Sequence, residues 1–236
     1  LEVYSNIPEY TLRRLCDMIL AVPDVLSAAD VAALRDGLAE ADFIPGEATA
    51  GWSAQLVKSN LQAADSPRVD TMRTLVQTRF RAHAVLALAT RPKTIVGPLF
   101  SRYRPGHAYG THADNALIDG VRTDVSFTLF LADPASYGGG ELIIDTPSGE
   151  DAFKLPAGGV VAYPATTLHR VNPVTRGERL AAAGWVRSYV RDPAQRELLF
   201  DLETARRRLF DREGKTPEAD LLAKCTANLM RMWTED

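Results

Sequence analysis

The sequence predicts a mainly β protein, a double-sheet barrel or sandwich, with helices before and after the strands. Three observations carry this. Over residues 95–190, short runs rich in Val, Ile, Phe, Thr and Tyr alternate between two faces and are broken by Gly and Pro. Residues 27–83 repeat apolar side chains at helical spacing. Helical spacing returns after Asp192-Pro193. The chain divides accordingly into residues 1–17, an extension or a segment of foreign origin that reads poorly against the rest; 18–192, the strand-rich part with its leading helices; and 193–236, a C-terminal helical segment.

Ile19-Leu20-Ala21-Val22-Pro23 reads as the first strand. Ser27 then caps a helix, with Asp30 three residues on at its positive end. Val31, Leu34, Leu38 and Ala41 supply the apolar stripe, and the helix ends before Pro45-Gly46. Residues 51–61 are polar and irregular. A second helix opens at Ser66-Pro67, where proline suits the first turn. Val69, Met72, Val76, Phe80 and His83 run down one side of it, which makes His83 a packing or surface histidine.

The strands follow. Phe100 and Arg102 alternate with Ser101 and Tyr103. In 123–131, Val125, Phe127, Leu129 and Leu131 alternate with Ser126, Thr128 and Phe130. Gly138-Gly139-Gly140 is a turn, and 141–145, 152–155, 159–163, 168–171 and 179–190 complete the set. In the C-terminal segment Leu198, Leu202, Ala205 and Leu209 form one stripe, ending near Gly214. Leu221, Leu222, Cys225, Leu229, Met230 and Trp233 form another after Pro217. These helices are expected to serve as a lid, a buttress or a homo-oligomer surface, and Arg206-Arg207-Arg208 as a solvated face.

The chemistry gathers in the stretch from Tyr103 to Asn115. His112 and Asp114 stand two residues apart, so in an extended segment both point to one face. The chain has 4 histidines, and His169 is the candidate third ligand. Two histidines and one carboxylate make a facial triad suited to non-haem Fe(II) with open positions. Catalytic zinc uses the same ligand types. Arg179 lies ten residues after His169, and on a strand an even offset keeps it on the same face, where its fork can take a carboxylate. A buried guanidinium without a partner is costly; a dicarboxylate cosubstrate removes that cost, and a hydrolytic zinc site has no general need for it. His107 lies on a loop as a weaker candidate for substrate contact.

The ordered set His112-x-Asp114, His169, Arg179 resembles the site of the Fe(II)/2-oxoglutarate-dependent dioxygenases. Arg102-Tyr103, Tyr109-Gly110, His112-Ala113-Asp114-Asn115-Ala116, Val121-Arg122-Thr123-Asp124, Gly139-Gly140-Glu141-Leu142, Tyr163-Pro164 and Leu168-His169-Arg170-Val171 are similar to the bacterial PKHD-type hydroxylases, which are related to prolyl and lysyl hydroxylases. Lys58-Ser59-Asn60-Leu61 matches that family's Lys-Asn-Asn-Leu segment except at Ser59. The resemblance runs from Met18 to about Trp233. It implies a double-stranded β-helix (jelly roll) with the metal inside one mouth. It implies Fe(II) on His112, Asp114 and His169, with 2-oxoglutarate chelating the iron and its distal carboxylate on Arg179. Tyr103 and Thr128 are the implied further contacts to the cosubstrate. Dioxygen, 2-oxoglutarate and the C–H bond of a substrate are then converted to succinate, carbon dioxide and a hydroxylated product, with ascorbate as reductant. Asn115 is implied beside Asp114, Tyr109 facing substrate, and Arg122 as surface charge or a substrate contact. The substrate is a protein side chain, a free amino acid, a peptide or a metabolite. The other readings are a non-catalytic sensor on the same barrel and a cupin-like zinc hydrolase or isomerase.

A chain of 236 residues buries roughly 70–75% of its unfolded surface, enough for a core without staples. The net charge of −3 gives no reason to expect nucleic acid or an anionic membrane as partner. Cys16 and Cys225 read as reduced thiols of a cytoplasmic protein. No run approaches the roughly 20 apolar residues of a membrane span, and no signal peptide is read near Glu2 and Glu9.

Overall fold

The computed structural model describes residues 19–49, 51 and 54–235. The 1–17 extension, Cys16 included, and Met18 lie outside them. The first strand, β1 (Leu20–Val22), leads to α1 (Ala28–Ala39). Ser27 and Asp30 cap this helix reciprocally: the Asp30 amide donates to Ser27 Oγ at 3.1 Å, and the Ser27 amide donates to Asp30 Oδ2 at 3.2 Å. β2 (Phe43–Pro45) takes the place of the helix end expected before Pro45, and β3 (Lys58–Ser59) and the start of β4 (Leu61–Ala63) give regular structure to part of the 51–61 stretch expected to be irregular. α2 (Pro67–Ala82) is capped by Ser66 and buries Val69, Met72, Val76 and Phe80. Arg79 of α2 grips Asp30 with two hydrogen bonds of 3.0 Å, so one carboxylate both caps α1 and ties the two helices together.

His83 does not ride on the stripe of α2. Its extended backbone breaks the helix, and a separate α3 (Ala84–Thr90) follows. Then come β5 (Pro92–Tyr103), β6 (Ala108–His112), β7 (Leu117–Ile118), β8 (Val121–Arg122), β9 (Val125–Phe130), β10 (Gly138–Gly139), β11 (Leu142–Thr146), β12 (Gly149–Phe153), β13 (Val160–Pro164), β14 (His169–Val171), β15 (Val174–Arg176) and β16 (Arg179–Ser188). The larger sheet has the order β1-β13-β9-β16-β5-β4-β2 and the smaller β12-β11-β14-β6-β3. β5, β6, β9, β11, β13, β14 and β16 change sheet at each step along the chain, and this winding makes a jelly roll.

Helices α1–α3 cover the outer face of the larger sheet. Val125, Phe127 and Leu129 of β9 join Leu34, Val76 and Phe80 in the main core, and the Phe80 and Phe127 ring centroids are 4.6 Å apart. Each such side chain contributes roughly 1.5–3 kcal/mol by leaving water. The other face of β9 (Ser126, Thr128, Phe130) turns into the barrel. Both faces are buried, so chemistry alternates along this strand while burial does not.

α4 (Pro193–Glu213) and α5 (Pro217–Trp233) close the chain. The expected α4 stripe is displaced. Leu198 is exposed, and the buried face is Arg196, Leu199, Phe200 and Glu203. The basic triplet is not a plain solvated face either, because Arg206 and Arg207 both bind the buried Glu203, at 2.6 and 2.9 Å. Arg122 is likewise structural. It donates to Asp124 at 2.7 Å and to Glu235 at 2.7 Å, which ties the end of the chain to the barrel. Cys225 is free and exposed. Among the described residues no helix is long and apolar enough to cross a membrane.

Candidate active site

β6 ends at His112 and β14 begins at His169. Their antiparallel register sets these two residues directly opposite each other. The rings meet with centroids 4.3 Å apart. Asp114 follows just past the end of β6, and the three donor atoms lie within 4.8 Å of one another. His112 Nε2 is 3.9 Å from Asp114 Oδ1, and His169 Nε2 is 3.8 Å from Oδ2.

The backbone sets both tautomers. His112 Nδ1 lies 2.8 Å from the Gly110 carbonyl and His169 Nδ1 lies 3.0 Å from the Thr167 carbonyl. A carbonyl only accepts, so each Nδ1 carries a proton and each Nε2, facing Asp114, is the nitrogen left to ligate. Burial, then the neighbouring His169, lowers the His112 pKa to about 4, which keeps a neutral imidazole at neutral pH. Ser126 Oγ donates to Asp114 Oδ2 at 2.5 Å and aims the carboxylate. The Tyr109 ring stacks on His112 at 3.7 Å, and Tyr163 meets His169 edge-on at 4.9 Å. Burial, followed by the charge of Asp114, raises the Tyr163 hydroxyl well above its usual range, while a hydrogen bond with Thr128 opposes it.

Arg179 is the first residue of β16 and pairs in register with Tyr103 of β5. The expected reason for its placement was wrong. His169 and Arg179 do not share a strand: β15 and a turn at Gly177 separate them, and they sit in different sheets. Gly177 has φ of 68°, and a Cβ there would overlap the Ser136 carbonyl oxygen, so the turn needs glycine. Arg179 reaches the same space as His169 across the barrel, not along a strand. It is 2% exposed, and among the described residues its Nε and one terminal nitrogen have no hydrogen-bond partner. The guanidinium carbon lies 5.0 Å from the Tyr103 ring centre and 5.5 Å from that of Phe130.

His112, Asp114, His169, Arg179, Tyr103 and Thr128 all line one cleft of about 710 Å³. His107 is not among the lining residues; it sits on the turn after β5, where its carbonyl accepts from the Val174 amide at 3.0 Å. Asn115 does line the cleft, but its side chain is exposed and the hydrogen bond to Asp114 comes from Ser126. Sequence reasoning gave no site role to Ser126, Tyr163 or Lys58. The first two sit at inward positions of β9 and β13 and are register partners. Lys58 is 6% exposed, and burial brings its pKa down to about 8 against the opposing charge of Asp114.

Three PKHD-type hydroxylases, from Picosynechococcus sp., Acaryochloris marina and Maricaulis maris, are 50%, 51% and 51% identical to this chain over 219 residues. The matches span 92–93% of this chain and all of each relative. The chain belongs to the PKHD-type hydroxylase family. The 2OG-Fe(II) oxygenase superfamily model matches residues 98–187, and the PKHD-type hydroxylase C-terminal domain model matches 193–235. Among solved structures, a Pseudomonas putida prolyl-4-hydroxylase is similar at a TM-score of 0.52 and 23% identity, over 72% of this chain and 92% of that one. A Trichoplax adhaerens prolyl hydroxylase reaches 0.56 at 14% identity, over 76% and 86%. These two share the jelly-roll fold.

A PKHD-type hydroxylase is an oxygenase that uses Fe(II) and 2-oxoglutarate. The residues present suit both. Two imidazoles and a carboxylate with open space beside them match the donor preference of Fe(II). Arg179 leaves buried donors for a carboxylate.

Proposed function

We propose that this PKHD-type hydroxylase holds Fe(II) on His112, Asp114 and His169 and anchors the distal carboxylate of 2-oxoglutarate on Arg179, with Tyr103 and Thr128 lining the cosubstrate pocket. Its reaction hydroxylates a C–H bond of an amino acid, a peptide or protein, or a small metabolite. Dioxygen supplies the new hydroxyl oxygen, and 2-oxoglutarate leaves as succinate and carbon dioxide. The observation that carries this is the buried guanidinium of Arg179, with free donors, in the same cleft as the three converging metal donors.

The bound iron would supply the activation of dioxygen. The protein's part is placement and exclusion of water. Ser126 and the two backbone carbonyls fix the donors, while Tyr109 and Tyr163 wedge the imidazole rings. Tyr103 and Phe130 form apolar walls around Arg179, which keeps its interaction with a carboxylate strong. Arg179 favours this reading over a hydrolytic zinc site, and a sensor released from catalysis has no need for all four groups. The prolyl hydroxylases named above support the fold and leave the substrate open.

The test is metal content after anaerobic dialysis against Fe(II). His112→Ala and Asp114→Ala are each expected to lose tight iron. Full occupancy in both would contradict the proposed ligand set.

A further inference from the structure

Lys58 on β3, Gln62 on β4 and Asn60 between them sit where the chain passes from the smaller sheet to the larger. They are 6%, 5% and 3% exposed, and all three line the cleft. A lysine buried to this degree normally has an acidic partner. Among the described residues, no carboxylate lies within ion-pair distance of Lys58 Nζ. Its hydrogen bond goes to Thr49 Oγ1, at 3.0 Å. Thr49 is itself held by the Gly46 carbonyl at 3.0 Å and by the Gln62 amide oxygen. An ammonium has three donors, so among the described residues two remain for a ligand.

The position of Lys58 is set by Tyr109. The two are register partners between β3 and β6, and Nζ stands 5.1 Å from the Tyr109 ring centre. That ring stacks on His112, so the ammonium is one ring away from a metal donor. Tyr109 also packs against the cluster of Tyr103, Val171 and Val174, and Tyr103 is the register partner of Arg179. Two buried cations therefore flank one pair of tyrosines, Lys58 from the edge of the smaller sheet and Arg179 from the larger. Asp114 is the acid closest to both histidines, and its charge is shared with whatever ion they hold. The inner wall is left with an excess of positive charge that a dianion would balance.

We propose that Lys58 is a second carboxylate anchor. It pairs with the carboxylate of 2-oxoglutarate on the metal side, so that the cosubstrate is held between Lys58 at one end and Arg179 at the other. This rests on the function proposed above. A carboxylate against Nζ would also favour the charged form, against the effect of burial.

The test uses the full chain loaded with Fe(II) under anaerobic conditions and measures binding by calorimetry, without turnover. Three probes separate the two ends. 2-Oxoglutarate carries both carboxylates, 2-oxopentanoate keeps only the one beside the ketone, and 4-oxopentanoate keeps only the distal one. Lys58→Met is expected to weaken 2-oxoglutarate and 2-oxopentanoate by at least about tenfold, the lower end for a lost charge-assisted bond, and to leave 4-oxopentanoate unchanged. Lys58→Arg should recover most of the loss. Arg179→Met should show the reverse selectivity. Iron content of each variant reports whether the site is intact. Unchanged binding of 2-oxoglutarate and 2-oxopentanoate in Lys58→Met, with Arg179→Met behaving as expected, overturns the Lys58 assignment alone and turns Lys58 toward the substrate. If neither variant alters 2-oxoglutarate binding, the cosubstrate site itself has been misplaced.

Discussion

Replacing Arg179 by methionine should move stability and cosubstrate affinity in opposite directions. Methionine is similar in length and keeps contact with Tyr103 and Phe130, but it removes a cation that is 2% exposed and has free Nε and terminal donors. Without ligand, that cation carries a desolvation cost that two ring contacts offset in part, by about 0.5–2 kcal/mol each. The metal-free variant should therefore melt no lower than the parent. Each kcal/mol recovered raises Tm by about 2–4 °C in a chain of this size. With 2-oxoglutarate the sign reverses. Losing one partner of a buried charge pair costs roughly 2–4 kcal/mol, or about 10²-fold in affinity. The assays are thermal denaturation of the metal-free protein and calorimetric titration of the iron-loaded protein with 2-oxoglutarate. A variant that melts well below the parent yet binds 2-oxoglutarate normally would refute the reasoning, because Arg179 would then be a structural residue.

Two further outcomes are expected. Ser126→Ala removes the 2.5 Å hydrogen bond that aims Asp114 and should weaken Fe(II) binding by about 10–100-fold, the usual effect of losing such a support; competition with a chelator reads it. The Asp30 carboxyl is held below its usual pKa, first by Arg79 and then by Ser27. A depressed folded-state pKa contributes stability that is complete above the unfolded value and is lost as pH falls through the folded one. Urea midpoints from pH 7 down to 3 should therefore fall less steeply in Asp30→Asn than in the parent, and an identical slope would contradict this.

Periodicity and capping residues made much of the fold legible. Ser27, Ser66-Pro67, Asp192-Pro193 and Pro217 mark helix starts that the structure keeps. α3 escaped notice because only the extended backbone of His83 separates it from α2, and no proline or glycine marks the break. The α4 stripe was misread because its buried face includes Arg196 and Glu203, which a count of apolar residues passes over. The same blindness hid Lys58, a charged side chain whose burial depends on Thr49 and on its pairing across β6. His112, Asp114, His169 and Arg179 were expected to act together from spacing and resemblance, and the structure brings them to one cleft. The spacing argument for Arg179 placed it on one strand with His169, but the chain changes sheet between β14 and β16. Ser126 and Tyr163 depend on the register between strands far apart in sequence, which one chain read alone does not display.

The most direct test of the central claim is anaerobic titration of the Fe(II)-loaded protein with 2-oxoglutarate, following the weak visible charge-transfer band of the chelated metal. The account predicts that the band appears in the parent and is lost at the same cosubstrate concentration in Arg179→Met. Iron binding with no band at saturating 2-oxoglutarate would leave the barrel and the metal site standing and would contradict the cosubstrate assignment.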